Sequence, residues 1–427
     1  MTSGSESEEK NESSSFKEIV KSLGPGLITG ASDDDPSGIV TYSIAGAAFG
    51  YSTLWTALIT FPLMAGVQLI CARIGLVYGC GLAAVMRKSF PKKFVYLAII
   101  SLLIANTINA AADLQAIAAG INMLVPVPII ILILPIALII LVVQVWGTYK
   151  TIEKVFRWLT LSLFAYIAAA VLAKPDWNEV IHGTFVPTLK LDSEFLSTLV
   201  AILGTTISPY LFFWQSNHEV EEKKAEEGAE PGNPSAKELR HAVWDVNAGM
   251  LLSNVVMYFI ILAGAATLHQ SGTKEIESAT QAAEALKPVA GNAAYVLMAV
   301  ALIGTGVLAV PILTTSAAFS VAEAFGWKCG LDEKPGQAKE FYLVMAACTL
   351  VALAIDYLGV NPMKALFVTA VINGFLSAPL LVGIMLVSND RKIMGDHTNS
   401  RLLNILGWAT TVLMAIAAIV LVWTWFQ

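Results

Sequence analysis

Three consecutive aspartates, Asp33, Asp34 and Asp35, followed by Pro36, Ser37 and Gly38, interrupt a stretch that otherwise reads apolar from Leu23 to Phe49. A solvent-exposed loop holds such a cluster at no cost. A membrane helix does not, because a charge at the bilayer centre costs ~2.5–3.5 kcal/mol even on insertion scales. Pro36 adds a missing backbone donor and a clash with the preceding turn. Broken backbone at that depth is tolerated only where it is buried in protein or lines a water-filled cavity. A membrane protein with this stretch must therefore be a bundle built to hold the break.

Composition says that it is a membrane protein. Of 427 residues, 56% are hydrophobic and 14% charged, with mean hydropathy +0.68, against roughly 25% charged in a soluble domain. Apolar runs of about 20 residues mark the spans. They cover Leu23–Phe49, Leu54–Tyr78, Phe94–Leu124, Val127–Trp146, Val155–Ala173 and Phe195–Trp214, then Ala242–Leu268, Ala293–Phe325, Tyr342–Leu358, Met363–Val387 and Leu402–Trp425. Eleven spans put the two ends on opposite sides. With the N-terminus inside, twenty Lys and Arg fall in cytoplasmic segments and five outside, as the positive-inside bias requires. The expected setting is a cell membrane, crossed many times, with the C-terminus outside.

The polar first fifteen residues carry no apolar core of a signal peptide, so residues 1–22 read as a disordered cytoplasmic tail and 23–427 as the transmembrane domain. Cys71, Cys80, Cys329 and Cys348 form no CxxC pair and read as apolar filler. The acidic stretch from Glu219 to Glu230 reads as solvated linker.

The sixth span carries a second break. Thr205 to Pro209 places Ser208-Pro209 in mid-span, as Asp35-Pro36 stands in the first. Matching breaks in two five-span halves, about 23–173 and 195–387, point to an inverted-repeat transporter with its site at the midplane. The helix 402–425 is then an addition.

The candidate residues have competing readings. Asp35 is either an ion ligand or the cap of the half-helix that follows. Asp34 either ligates, supports a ligand or satisfies broken backbone; Asp33 points into the bundle or toward a vestibule. Ser208 either binds an ion or bonds freed backbone groups. On the third span, Asn106, Thr107, Asn109, Asp113 and Gln115 recur at near-helical spacing. A charged intramembrane Asp113 is a functional candidate, with pairing to Arg73 as the alternative. Asp245 reads as an interfacial or gate residue, and Asn373 as either a site residue or an interhelical hydrogen bond.

These motifs resemble those of the Nramp divalent-metal transporters. Gly24-Pro25-Gly26 with Asp35-Pro36-Ser37-Gly38 is similar to the family's Gly-Pro-Gly and Asp-Pro-Gly-Asn. Ile207-Ser208-Pro209-Tyr210 is similar to its Met-Pro-His, and Ala112-Asp113-Leu114-Gln115-Ala116 to its Thr-Asp-Leu-Ala-Glu. The resemblance implies an all-α LeuT-type inverted repeat of five plus five helices with an eleventh. It implies a metal site at Asp35, Gly38, Ser208 and the Thr205 carbonyl, with Asp34 and Asp33 beside it and a pathway through Asp113, Tyr210 and Asn373. Asn has become Gly38, Met has become Ser208, His has become Tyr210 and Glu has become Ala116. Such losses resemble the Nramp-related magnesium transporters.

The chemistry runs the same way. A thioether favours transition metals, and its replacement by Ser208 leaves oxygen donors. Mg²⁺ keeps several waters while touching one or two carboxylates, and Gly38 is expected to leave room for them. The expected function is import of Mg²⁺, and Mn²⁺ with it, by alternating access without proton coupling. The alternative is a proton-coupled Mn²⁺/Fe²⁺ transporter. The histidines, His182, His218, His241, His269 and His397, read as loop or span-end residues. No enzyme activity, cofactor or nucleic-acid partner is expected; the partners are the divalent ion and the bilayer. An amino-acid carrier is disfavoured because the acidic break repels a carboxylate.

Overall fold

A computed structural model describes residues 24–225, 232–272 and 279–424. The predicted tail, residues 1–22, lies outside them. All regular structure among the described residues is helical. The first predicted span is two helices, α1 (Pro25–Asp33) and α2 (Pro36–Phe49). Next come α3 (Trp55–Tyr78), a short amphipathic α4 (Leu82–Ser89), α5 (Lys92–Leu124) and α6 (Ile129–Trp146). The fifth span starts earlier than its apolar run, as α7 (Tyr149–Leu159), and passes through a 3₁₀ turn into α8 (Phe164–Leu172). After α9 (Trp177–Phe185), the sixth span is again two helices, α10 (Ser193–Thr206) and α11 (Pro209–Ala225). The rest are α12 (Ala236–Gly264), α13 (Ala279–Phe325, kinked at Gly291), α14 (Lys339–Tyr357), α15 (Pro362–Asn389), a single turn α16 (Arg391–Met394) and α17 (Arg401–Thr424). Among the described residues, ten helical segments are long and apolar enough to cross a membrane. The α1–α2 pair adds the eleventh, interrupted passage.

Small residues bring α1 against α12. A Cβ on Gly26 would lie 2.5 Å from the Val246 nitrogen, and one on Gly30 2.1 Å from the Gly249 carbonyl oxygen. The two backbones touch, the packing that small residues allow between membrane helices. Gly46 on α2 approaches the Ile261 carbonyl as closely, 2.2 Å from its would-be Cβ. So α12 runs behind both halves of the first break. At the outside of the bundle, α6 exposes Ile130, Ile131, Leu134, Leu138 and Ile139, an apolar surface suited to lipid.

The sixth span departs most from its hydropathy. α11 continues eleven residues past Trp214, and Gln215, Ser216, Asn217, His218, Glu219 and Glu221 are all buried in it. The stretch read as solvated linker is therefore helix as far as Ala225. Residues 226–230 of it lie outside the described residues, and two of its described carboxylates are engaged: Glu221 accepts from the Leu331 N–H at 2.8 Å and pairs with Lys224 at 2.9 Å, while Glu219 accepts from Gln215 at 2.8 Å. His218 is not a span-end residue but lies inside the bundle, its ring 4.8 Å from that of Trp214. These bonds satisfy polar groups that a hydropathy window scores as belonging to water.

Candidate metal site

The first break forms because α1 cannot continue through Pro36. Its C-terminus unwinds at Asp34 (φ −85°, ψ 50°), and Asp35 takes an extended conformation (φ −67°, ψ 168°) to cap α2. One Asp35 oxygen, Oδ1, accepts from the Gly38 N–H at 2.8 Å and from the Ser37 hydroxyl at 2.5 Å. The other, Oδ2, accepts from the Asn109 amide on α5 at 2.8 Å. Asp35 thus caps α2 and also lines a cavity.

The second break is built differently. α10 ends at Thr206, and the Ser208 hydroxyl donates back to the Thr205 carbonyl at 2.7 Å and the Gly204 carbonyl at 3.1 Å. Two tyrosines tie the breaks together. Tyr42, past the first break, bonds Thr206 before the second at 3.1 Å; Tyr210, past the second, donates to the Ser32 carbonyl before the first at 3.0 Å.

Between the breaks lies a cavity of about 170 Å³ lined by Asp35, Ser37, Thr41, Asn109, Thr205, Ser208, Tyr210 and Asn373, among others. The Asn373 side-chain oxygen is buried without a hydrogen-bond partner. The cavity extends past Ile44, Thr198 and Leu366, toward the Phe49 end of α2. Toward the opposite face, α1 is clamped. The Asp245 carboxylate on α12 accepts from the backbone N–H of Gly24 at 2.8 Å, Gly26 at 2.6 Å and Leu27 at 3.4 Å. That bond set ties the start of α1 to α12.

Of the residues singled out from sequence, Asp35, Thr205, Ser208, Tyr210 and Asn373 meet at this cavity. Asp33 and Asp34 face away from it, among α12 and its neighbours. Asp33 accepts from Ser253 at 2.8 Å, its other oxygen has no partner, and neither oxygen of Asp34 has one. Gly38, expected at the metal site, gives its N–H to Asp35 and is not among the residues that line the cavity. A Cβ there would meet Tyr42, the Asp33 carbonyl and the Thr205 methyl at 3.2–3.3 Å, so a larger residue would have to push these neighbours aside. Asp113 is buried beyond Asn109, whose amide is 3.5 Å away. Arg73 does not pair with it, since its guanidinium donates to the His397 carbonyl at 2.8 Å. The ion pairs among described residues leave Asp33, Asp34, Asp35 and Asp113 without a cation. Buried carboxylates in that position call for a cation or a proton.

Sequence reasoning passed over Ser37, Thr41 and Ser253, whose hydroxyls carry no signal of their own in an apolar chain. Asn109 belonged to the polar stripe of the third span, but its contact with Asp35 spans 74 residues.

Known proteins settle the family. The family model described as natural resistance-associated macrophage protein-like, Nramp, matches residues 26–424. The chain belongs to the Nramp family. It is thus a multi-pass membrane transporter of the divalent-metal type, not an enzyme. The manganese transporter of Eremococcus coleocola, in complex with an aromatic bis-isothiourea substituted compound, is similar in structure. It is 20% identical, with a TM-score of 0.74, over 94% of this chain and 86% of that one. Mhp1, a nucleobase-cation-symport-1 family transporter in a closed conformation, is 14% identical with a TM-score of 0.59 over 94% and 92%. A Na⁺-coupled sialic acid symporter in a substrate-bound outward-open state is 12% identical with a TM-score of 0.53 over 92% and 88%. The fold is the LeuT-type inverted repeat with an added helix, and its two breaks are those of α1–α2 and α10–α11.

Proposed function

We propose that this Nramp protein imports Mg²⁺, and Mn²⁺ with it, by alternating access and without proton coupling. The observation that carries the reading is the donor set of the cavity. Its polar lining is one carboxylate, hydroxyls, amides and a carbonyl, with no sulfur, imidazole, lysine or arginine among the lining residues. Oxygen donors suit Mg²⁺ and Mn²⁺ and give no preference for softer ions. One water needs ~10–15 Å³ of free space, so about 170 Å³ admits an ion with several of its waters. Mg²⁺, which sheds water reluctantly, profits most from that room.

Asp35 supplies the charge, with the Thr205 carbonyl and the Ser208 hydroxyl opposite. Tyr210 stands where a histidine would accept a proton, and Ala116 where a glutamate would, which supports uncoupled transport. Energy is available without protons. A divalent ion entering at about −100 mV gains ~4.6 kcal/mol, enough for a gradient of ~10³. The Lys and Arg distribution supports a cytoplasmic N-terminus. The cavity then extends outward, and the Asp245 clamp closes the cytoplasmic side.

Uptake into proteoliposomes, read with a Mg²⁺-sensitive dye and an internal pH reporter, tests the proposal. Mg²⁺ entry that disappears in Asp35→Ala and brings no acidification is expected. Fe²⁺ entry strictly coupled to protons, with no Mg²⁺ signal, would overturn it in favour of the proton-coupled alternative.

A further inference from the structure

We infer that Asn109, on α5, is a cation-selecting residue of this site: its amide nitrogen holds Asp35, and its amide oxygen receives the water shell of the ion. The inference rests on the metal-import reading and deepens it.

The geometry begins with two carboxylates on one edge of the amide. Asn109 Nδ2 is 2.8 Å from Asp35 Oδ2 and 3.5 Å from Asp113 Oδ2. With Nδ2 turned to these two carboxylates, Oδ1 points away from them. No described group donates to that oxygen, and Asn109 lines the cavity. The residue is buried, only 5% exposed. The side chain therefore has one polar end spent on Asp35 and the other left for whatever occupies the cavity.

The bonds to Asp35 say what that occupant is. Two donors, Ser37 and Gly38, use Oδ1, and Asn109 uses a lone pair of Oδ2. A carboxylate oxygen offers about two in-plane sites, so Asp35 has roughly one left for an ion. A bare divalent ion that wants two or more protein oxygens finds a poor host. A hydrated ion finds one direct ligand in Asp35, with acceptors for its waters at the Thr205 carbonyl and the amide oxygen of Asn109. Waters on Mg²⁺ are strong donors, and an acceptor with no competing partner is the group that benefits most. Asn109 also comes from α5, whereas Gly38, where a side-chain amide is missing, lies on α2. The amide reaches the cavity from a wall that does not belong to either break.

The test uses the full chain in proteoliposomes and compares Asn109→Leu, which keeps size and removes both polar ends, with wild type. KM for Mg²⁺ should rise about tenfold or more, the loss expected when a charged group loses a hydrogen bond. KM for Mn²⁺, which gives up water more readily, should rise only about threefold, and maximal rates should change little. A purely structural role would move both ions equally or lower the maximal rate of both; either result overturns the inference, as do KM values unchanged for both ions. If Asn109→Leu does not fold, Asn109→Ala is read by the same two numbers. Wild-type protein that carries Mn²⁺ but no Mg²⁺ would sink the magnesium reading separately. The Asn109 assignment is then judged on Mn²⁺ alone and falls if its KM does not rise.

Discussion

The two breaks occupy equivalent places in the two repeats and solve the same problem in opposite ways. Both must satisfy backbone groups freed in mid-membrane. At α1–α2 the freed N–H groups at the start of α2 are met by a carboxylate, Asp35, and the positive end of the helix favours that charge. At α10–α11 a hydroxyl, Ser208, turns back onto the carbonyls of Thr205 and Gly204. One break ends in a surplus of negative charge and the other is neutral and closed on itself. In the proposed binding mode the ion's charge is therefore matched at the start of α2, while α10 contributes a dipole. A soft ligand at the second break would make the contributions more nearly equal; its absence leaves a one-sided, hard site.

Removing the charge of the first break should have the largest effect. Asp35→Asn keeps the shape and an oxygen that can still cap α2, but loses the charge. Uptake at low ion concentration should fall about a hundredfold or more, the scale of a lost charged contact. Uptake assays across ion concentrations read it, and a loss of only two- or threefold would equalise the two breaks and refute the contrast.

The next effect concerns how each half-helix is held. Asp245 clamps α1, whereas α10 has no such external carboxylate among its described caps beyond Asp192 at its own start. Asp245→Ala should speed hydrogen exchange of α1 amides about tenfold, a loss of ~1.4 kcal/mol, and leave α10 amides unchanged. Exchange measured by mass spectrometry would show the two helices diverging. Equal acceleration in both would mean that the clamp is not local.

Smaller effects come from the second break. Ser208→Met removes the hydroxyl that occupies the Thr205 carbonyl and adds a thioether beside the cavity. Competition uptake should show Mn²⁺ and Cd²⁺ gaining about fivefold over Mg²⁺, in line with ligand softness. No gain would place Ser208 outside the ion's reach. Ser208→Ala only deletes a neutral hydrogen bond, worth ~0.5–1.5 kcal/mol. The Mg²⁺ KM should shift by about threefold or less, and a shift as large as that of Asp35→Asn would give the hydroxyl a role equal to the carboxylate.

Both breaks were legible because proline and charge are local signals. Pro36 and Pro209 fix where α2 and α11 begin, and the helices start at those residues. The span boundaries were less legible where polar residues are buried by partners distant in sequence. α11 runs on past Trp214 with Glu221 buried against the backbone N–H of Leu331, 110 residues away in sequence. A hydropathy window has no access to those partners. In the site, Asp35, Ser208 and Thr205 could be read from the motifs, whereas the split between Asp35 and its neighbours could not. Adjacent residues of an unwound segment point in different directions, so Asp35 faces the cavity while Asp33 turns to Ser253. Room for an ion was attributed to Gly38, but Tyr42 and Thr205 pack close to it and it does not line the cavity. Shape of this kind depends on side chains from other helices.

The central claim is that the ion sits in the cavity between the two breaks, held chiefly by Asp35. Anomalous diffraction from crystals soaked in Mn²⁺ tests it most directly. A single peak within direct or water-bridged reach of Asp35, on the side of Thr205 and Ser208, is the predicted result. A peak on the opposite side of the break, between Asp33, Asp34 and Ser253, would contradict the account.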